Sequence, residues 1–119
     1  MSKTVLVIEK DEDILHIITK ILAEQNFQVI ASRTEDDMLD KISEIKPHAI
    51  ILDIINPTKA GTKLCNEIKA SPAMKHIPVI VLSTHFDVKA FSNECADEVV
   101  SKPFDIDELI KTVKKQVIA

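Results

Sequence analysis

Four short runs rich in valine and isoleucine punctuate the chain: Val5 to Ile8, Phe27 to Ala31, Ala49 to Leu52 and Val79 to Leu82. Each has the length and β-branched content of a strand. Between them, apolar residues recur at helical spacing, first at Ile14, Leu15, Ile18, Ile21 and Leu22, then at Met38, Leu39, Ile42 and Ile45, then at Leu64, Cys65 and Ile68. A weaker strand at Glu98 to Ser101 leads into a last helix marked by Ile106, Leu109, Ile110, Val113 and Val117. Asp105 with Glu108 predicts the N-terminal cap of that helix, and Ser32 with Glu35 predicts the same for the second helix. Phe86 to Glu94, short and mixed in character, is the weakest helical segment. The first and third runs are apolar nearly throughout instead of alternating, the pattern of parallel strands covered on both faces by helices. The alternation therefore predicts a doubly wound α/β fold around a parallel sheet. Gly61, the single glycine, follows Pro57 in the loop after strand three, where a tight turn uses both.

Length and composition narrow the classes of function. A chain of 119 residues makes one domain spanning 1–119, with room for a real core. No apolar run approaches the ~20 residues of a membrane span. The N-terminus lacks the core and cleavage site of a signal peptide, so the reading is no membrane and a cytoplasmic protein. Cys65 and Cys95 fall in stretches read as helical, away from any metal-ligand spacing, which predicts buried thiols. His16, His48, His76 and His85 share no ligand spacing either. A formal charge of -4 without a basic stripe argues against direct nucleic acid binding and for protein partners.

In open α/β sheets the working groups gather beyond the carboxyl ends of the strands. Here those positions hold Glu9, Lys10, Asp11, Glu12 and Asp13 after strand one, Asp53 after strand three, Ser83 and Thr84 after strand four, and Lys102 after strand five. Right-handed crossovers bring these ends to one edge, so Glu9, Asp53, Ser83 and Lys102 are expected to converge. Taken singly, Asp53 reads as a turn former, Ser83 as a loop hydroxyl and Lys102 as a solvated charge. Asp11, Glu12 and Asp13 suit the start of the first helix.

In this order and spacing, the acidic end of strand one, the run Leu52-Asp53-Ile54-Ile55-Asn56-Pro57 with Gly61, Ser83, and Lys102-Pro103-Phe104 resemble the receiver domains of two-component response regulators along nearly the whole chain. The resemblance implies a five-stranded parallel sheet of order 2-1-3-4-5 in a flavodoxin-like, CheY-like three-layer sandwich. It implies phosphorylation on Asp53, a stabilising hydroxyl from Ser83, a phosphate-pairing ammonium from Lys102 and a cis Lys102-Pro103 bond. Mg2+ would be held by Glu9, Asp53 and the backbone carbonyl of Ile55. The phosphoryl group would come from a sensor histidine kinase or a histidine phosphotransfer protein. The signal would leave to a downstream effector protein through the fourth helix, fifth strand and fifth helix, and a homodimer is a further partner that the resemblance allows. Such a domain accepts phosphate without turning over a separate substrate, so it is not read as an enzyme.

Several positions depart from the family pattern. Its second strand-one acid falls on Lys10, whose ammonium has no lone pair for a metal. Glu9, Lys10, Asp53 and Lys102 sum to zero charge, which weakens the attraction for a divalent cation. Two arrangements follow: Lys10 pairs with Asp53 in partial place of the metal, or Lys10 turns to solvent and Glu9 or Asp11 serves the metal. Val99 replaces the usual switch aromatic, which predicts a muted output or one using Phe86, Cys95 replaces a frequent glycine, and Ala60 replaces a loop acid. A haloacid-dehalogenase-type phosphatase needs a second acid where Ile55 stands, and an FMN carrier needs a phosphate-cradling loop where this chain places Glu9 and Asp11 to Asp13. The alternative function is a pseudo-receiver, a protein-interaction module independent of phosphorylation, for which Lys10 is the main sign.

Overall fold

A computed structural model describes residues 3–54, 60–83 and 95–118. Five strands, β1 (Thr4–Ile8), β2 (Gln28–Ser32), β3 (Ala49–Asp53), β4 (Val79–Ser83) and β5 (Glu98–Ser101), form one sheet of order β2-β1-β3-β4-β5. All four pairings are parallel. The described helices are α1 (Glu12–Glu24), α2 (Met38–Ile45), α3 (Ala60–Ala70) and α4 (Ile106–Ile118). The fold expected from the alternation and from the resemblance is the one observed. The weak helix at Phe86 to Glu94 lies outside the described residues.

Strand period two sorts the sheet into two apolar layers. Leu6, Ile8, Ile50, Leu52, Val79 and Val81 face Met38 and Ile42 of α2 and Leu64 and Ile68 of α3. Val5, Val7, Ala49, Ile51, Ile80 and Leu82 point the other way, onto Leu15, Ile18 and Leu22 of α1 and Leu109 and Val113 of α4. β3 and β4 are buried along their full length, which explains their unbroken apolar runs. Edge strand β2 is only partly covered, matching its mixed composition.

The helix ends follow local chemistry. Asp11 caps α1 by accepting from Asp13 N and Ile14 N, and Asp105 accepts from Asp107 N and Glu108 N at the start of α4. The cap predicted from Ser32 and Glu35 does not form. Ser32 Oγ bonds within its own turn to Thr34, Glu35 pairs with Lys10, and α2 starts at Asp37, whose left-handed backbone gives no side-chain cap. Local side-chain bonding in the loop has won over capping.

Two further expectations are corrected. Gly61 sits in the first turn of α3, not in the tight turn expected after Pro57, and its φ is not positive. Its role is close approach: a Cβ there would meet Ile54 Cγ1 at 3.2 Å and Asp53 O at 3.3 Å. Gly61→Ala is therefore expected to lower the melting temperature, because backbone displacement of roughly 1–3 kcal/mol outweighs the ~1 kcal/mol gain in helix propensity. A thermal melt that rises would contradict this packing. Cys65 and Cys95 are not thiols but a disulfide with a Cα–Cα separation of 5.7 Å, and Cys95 lies in a turn instead of a helix. Thirty residues separate them in sequence, so only the tertiary fold reveals the pairing.

Candidate functional site

The strand order reverses direction between β1 and β3, the switch point at which open α/β sheets form a crevice beyond the carboxyl ends of the strands. Glu9 follows β1 directly, Asp53 closes β3, Ser83 closes β4 and Lys102 follows β5. Register holds these ends level, with Ile8 opposite Leu52, Asp53 opposite Leu82, and Ser83 opposite Ser101. Backbone bonds extend the ladder past its last pairs, from Ile54 N to Leu82 O and from Lys102 N to Ser83 O. Glu9 N donates to Ser32 O on the other side. The sheet thus delivers all four residues to one edge, as expected from the chain pattern.

Glu9, Asp53 and Ser83 are buried, at 0%, 3% and 0% exposure, an unusual density of polar groups in a small core. Lys102 joins the two acids: its Nζ lies 2.9 Å from Asp53 Oδ1 and 2.7 Å from Glu9 Oε1. The bond to Asp53 is a proper hydrogen bond, whereas Glu9 Oε1 meets the ammonium off its hydrogen-bonding directions and has no hydrogen-bond partner. The other oxygen, Oε2, accepts from Asp11 N at 3.1 Å. The Lys102-Pro103 bond is cis, as the resemblance implied.

Burial raises the pKa of Glu9, the neighbouring Asp53 carboxylate raises it further, and Lys102 opposes them without winning. Burial alone would lower Lys102, but Glu9 and Asp53 together hold its ammonium above the ordinary lysine value. For Glu9 the sign follows from linkage. A raised carboxyl contributes stability that is complete below the ordinary value of 4.5 and is lost as pH rises through the higher folded-state value. Glu9→Gln mimics the protonated form, so the difference in stability between variant and wild type should grow in the variant's favour across that window. Urea titrations at stepped pH measure it, and a constant difference would refute the crowding of the two acids.

Lys10 does not reach Asp53. Glu9 enters the crevice and Lys10 points away from it, forming an ion pair with Glu35 in the loop between β2 and α2. Arg33 Nε also donates to Lys10 O. Among the described residues the electrostatic stand-in expected for Asp53 is thus supplied by Lys102 alone, and Asp11 is occupied as the α1 cap. With Lys10 neutralised by Glu35, the crevice keeps one net negative charge from Glu9, Asp53 and Lys102 instead of none. Glu35, which no sequence signal marked as part of this neighbourhood, is the residue that spacing missed. Ile55 and Phe86 lie outside the described residues. Val99 is a half-buried β5 residue packed against the layer that contains α2 and α3.

Among the described residues no group of three or more His, Cys, Asp or Glu side chains is placed to hold a metal. Magnesium, however, commonly takes one or two carboxylates and keeps several waters. Two adjacent buried carboxylates, with Glu9 Oε1 unmatched in hydrogen bonding, fit such a hydrated ion. No described helix is long and apolar enough to cross a membrane.

The response regulator receiver domain pattern matches residues 5–114. Response regulator RR06 of Streptococcus pneumoniae is 34% identical over 114 residues, covering 92% of this chain and 51% of that protein. Histidine kinase P4 of Formosa agariphila is 30% identical over 116 residues, 95% of this chain and 8% of that protein. The chain thus spans about half or much less of these relatives. The chemotaxis response regulator CheY4 of Vibrio cholerae superposes with a TM-score of 0.86 at 19% identity, over 98% of this chain and 99% of that one, which shows the fold. Through the family match over residues 5–114, joined to a sheet edge that gathers acid, hydroxyl and lysine, the chain belongs to the response regulator receiver domains of two-component signalling.

Proposed function

We propose that this receiver accepts a phosphoryl group on Asp53 from a sensor histidine kinase or a histidine phosphotransfer protein. The observation that carries the reading is the Lys102 ammonium, bonded to Asp53 Oδ1 inside a buried crevice. A carboxylate oxygen of Asp53 attacks the phosphorus while the bond to the donor nitrogen breaks, and the imidazole keeps that electron pair. Like charges meet in this step, so catalysis consists of positioning and of cations at the phosphoryl oxygens. Lys102 is one such cation, and Ser83, at the adjacent strand end, places a hydroxyl for the transferred group. Receiver domains generally bind Mg2+ at the phosphorylation site. Here Glu9, Asp53 and the Ile55 carbonyl would hold it, weakly because Lys10 removes a ligand, and it would neutralise phosphoryl charge. The domain takes up phosphate once and turns over no separate substrate.

A docking surface adjoins the crevice. Ile14 and Ile17 of α1 and Pro103, Phe104 and Ile106 beyond β5 line an apolar groove that also contains Lys102. Ile17 and Ile106 are each 45% exposed, the two large hydrophobic side chains left open among the described residues. A phosphodonor protein seated there presents its histidine at the crevice mouth, which supports a protein donor and fits a cytoplasmic signalling role. The effector face formed with the fourth helix of the family includes residues outside those described.

Intact-mass measurement after incubation with acetyl phosphate or phosphoramidate and magnesium tests the reading. Wild type should gain one phosphoryl group, and Asp53→Asn none. The second reading, a pseudo-receiver, rests on Lys10 and its pairing with Glu35. It is favoured if no gain occurs under any donor or magnesium concentration.

A further inference from the structure

Cys65 is fully buried on α3, and Cys95, in the turn before β5, is 5% exposed. Their disulfide joins α3 to the turn at the amino end of β5, across the sheet from the carboxyl ends that carry Asp53 and Lys102. α3 starts hard against the end of β3, where a Cβ on Gly61 would meet Asp53 O and Ile54, and Cys65 stands one turn further along that helix. β5 begins three residues after Cys95 and ends immediately before Lys102. The chain enclosed between the two cysteines contains β4 with Ser83. A covalent bond here therefore ties the helix that begins after Asp53 to the entry of the strand that ends at Lys102.

The fold also accommodates the broken bond. Both sulfurs lie in the apolar layer with Leu64, Ile68, Ile77 and Ala96, where a free thiol behaves as a small hydrophobe. The β4–β5 ladder is held independently, by its register and by Asp97 N to Val79 O and Lys102 N to Ser83 O. Cys95, the less completely buried of the two residues, is the point of entry for an attacking thiolate.

We propose that Cys65 and Cys95 form a reversible thiol–disulfide site, a second covalent input separate from phosphoryl chemistry, whose oxidised form locks α3 to the entry of β5. In reduction, a thiolate of the glutathione or dithiol class attacks Cys95 Sγ, the S–S bond breaks, and Cys65 leaves as a thiolate that takes a proton. A second reductant thiolate then attacks the reductant's sulfur in the mixed disulfide, forming the reductant's disulfide and freeing Cys95. Two electrons pass to the protein. Oxidation runs the same steps backwards with glutathione disulfide as the acceptor.

The experiment equilibrates the native chain in graded mixtures of glutathione and glutathione disulfide, then combines acid quenching, alkylation, intact mass and peptide mapping with amide hydrogen exchange. The expected result is a single transition between the dithiol and one Cys65–Cys95 disulfide, lighter by two hydrogens. Exchange in α3 and β5 should be slower by roughly tenfold or more in the oxidised form. Cys95→Ala should exchange like the reduced wild type in every mixture, and the wild-type comparison needs no substitution that disturbs folding. Thiols that remain free throughout, a stable glutathione adduct on one cysteine, a disulfide that native conditions with excess dithiothreitol leave intact, or identical exchange in both forms would each overturn the proposal. None of these readouts involves phosphorylation, so the reading of Asp53 stands or falls elsewhere.

Discussion

Lys102→Met should lose roughly 3–5 kcal/mol of stability at neutral pH, a large part of what a domain of this size possesses. The wild-type ammonium is the shared counter-ion of two carboxylates with 0% and 3% exposure, while its own side chain is only 13% exposed. Methionine keeps the aliphatic volume and removes the charge, leaving Glu9 and Asp53 adjacent, buried and unpaired. Glu9, raised already by its burial and by the neighbouring Asp53 carboxylate, can then take up a proton. The penalty should therefore shrink as pH falls, because the folded variant binds a proton that its unfolded chain releases. Adding Glu9→Gln should recover part of the loss, and a double-mutant cycle in urea reads the coupling directly. A loss below about 1 kcal/mol, or one indifferent to pH, would mean that Lys102 is a surface charge and not the electrostatic centre of the crevice.

The parts of this molecule that could be read from the chain are those set by short-range pattern. Unbroken apolar runs at β3 and the alternating helices dictated a parallel sheet buried on both faces, and the strand ends carried Glu9, Asp53, Ser83 and Lys102 to one edge because register leaves them no other place. Asp105 was legible as a cap because its partners are two and three residues away. What escaped depends on side-chain direction or on distant partners. Lys10 and Glu35 are 25 residues apart and meet only because two loops fold together, so spacing alone left Lys10 free to turn either way. Cys65 and Cys95 are joined through packing of α3 near the turn before β5, for which neither cysteine carries a local sign. Gly61 was legible as a constrained position, but its constraint is contact with the Asp53 backbone instead of turn conformation.

The direction of Lys10 fixes what its replacement should do. Paired with Glu35, it leaves the crevice one net negative charge but removes the ligand that an acid at this position would supply. A unit charge within several ångströms of a divalent ion is worth roughly 1 kcal/mol even at the dielectric of water. Lys10→Asp reverses the charge and adds a carboxylate, so magnesium affinity should rise by roughly ten- to a hundredfold; Lys10→Met, which only removes charge, should give a smaller rise of several-fold. Glu35→Gln should act in the opposite sense, because it frees the ammonium to turn toward the buried acids and compete with the cation. The chain has neither Trp nor Tyr, so emission from those residues cannot follow binding, and calorimetry or amide chemical shifts must carry the titration. The ordering Asp above Met above wild type above the Glu35 variant distinguishes a missing ligand from a misplaced charge. Equal affinities in all four proteins would leave Lys10 a solvent-facing residue with no part in the site, and would return the weight of magnesium binding to Glu9 and Asp53 alone.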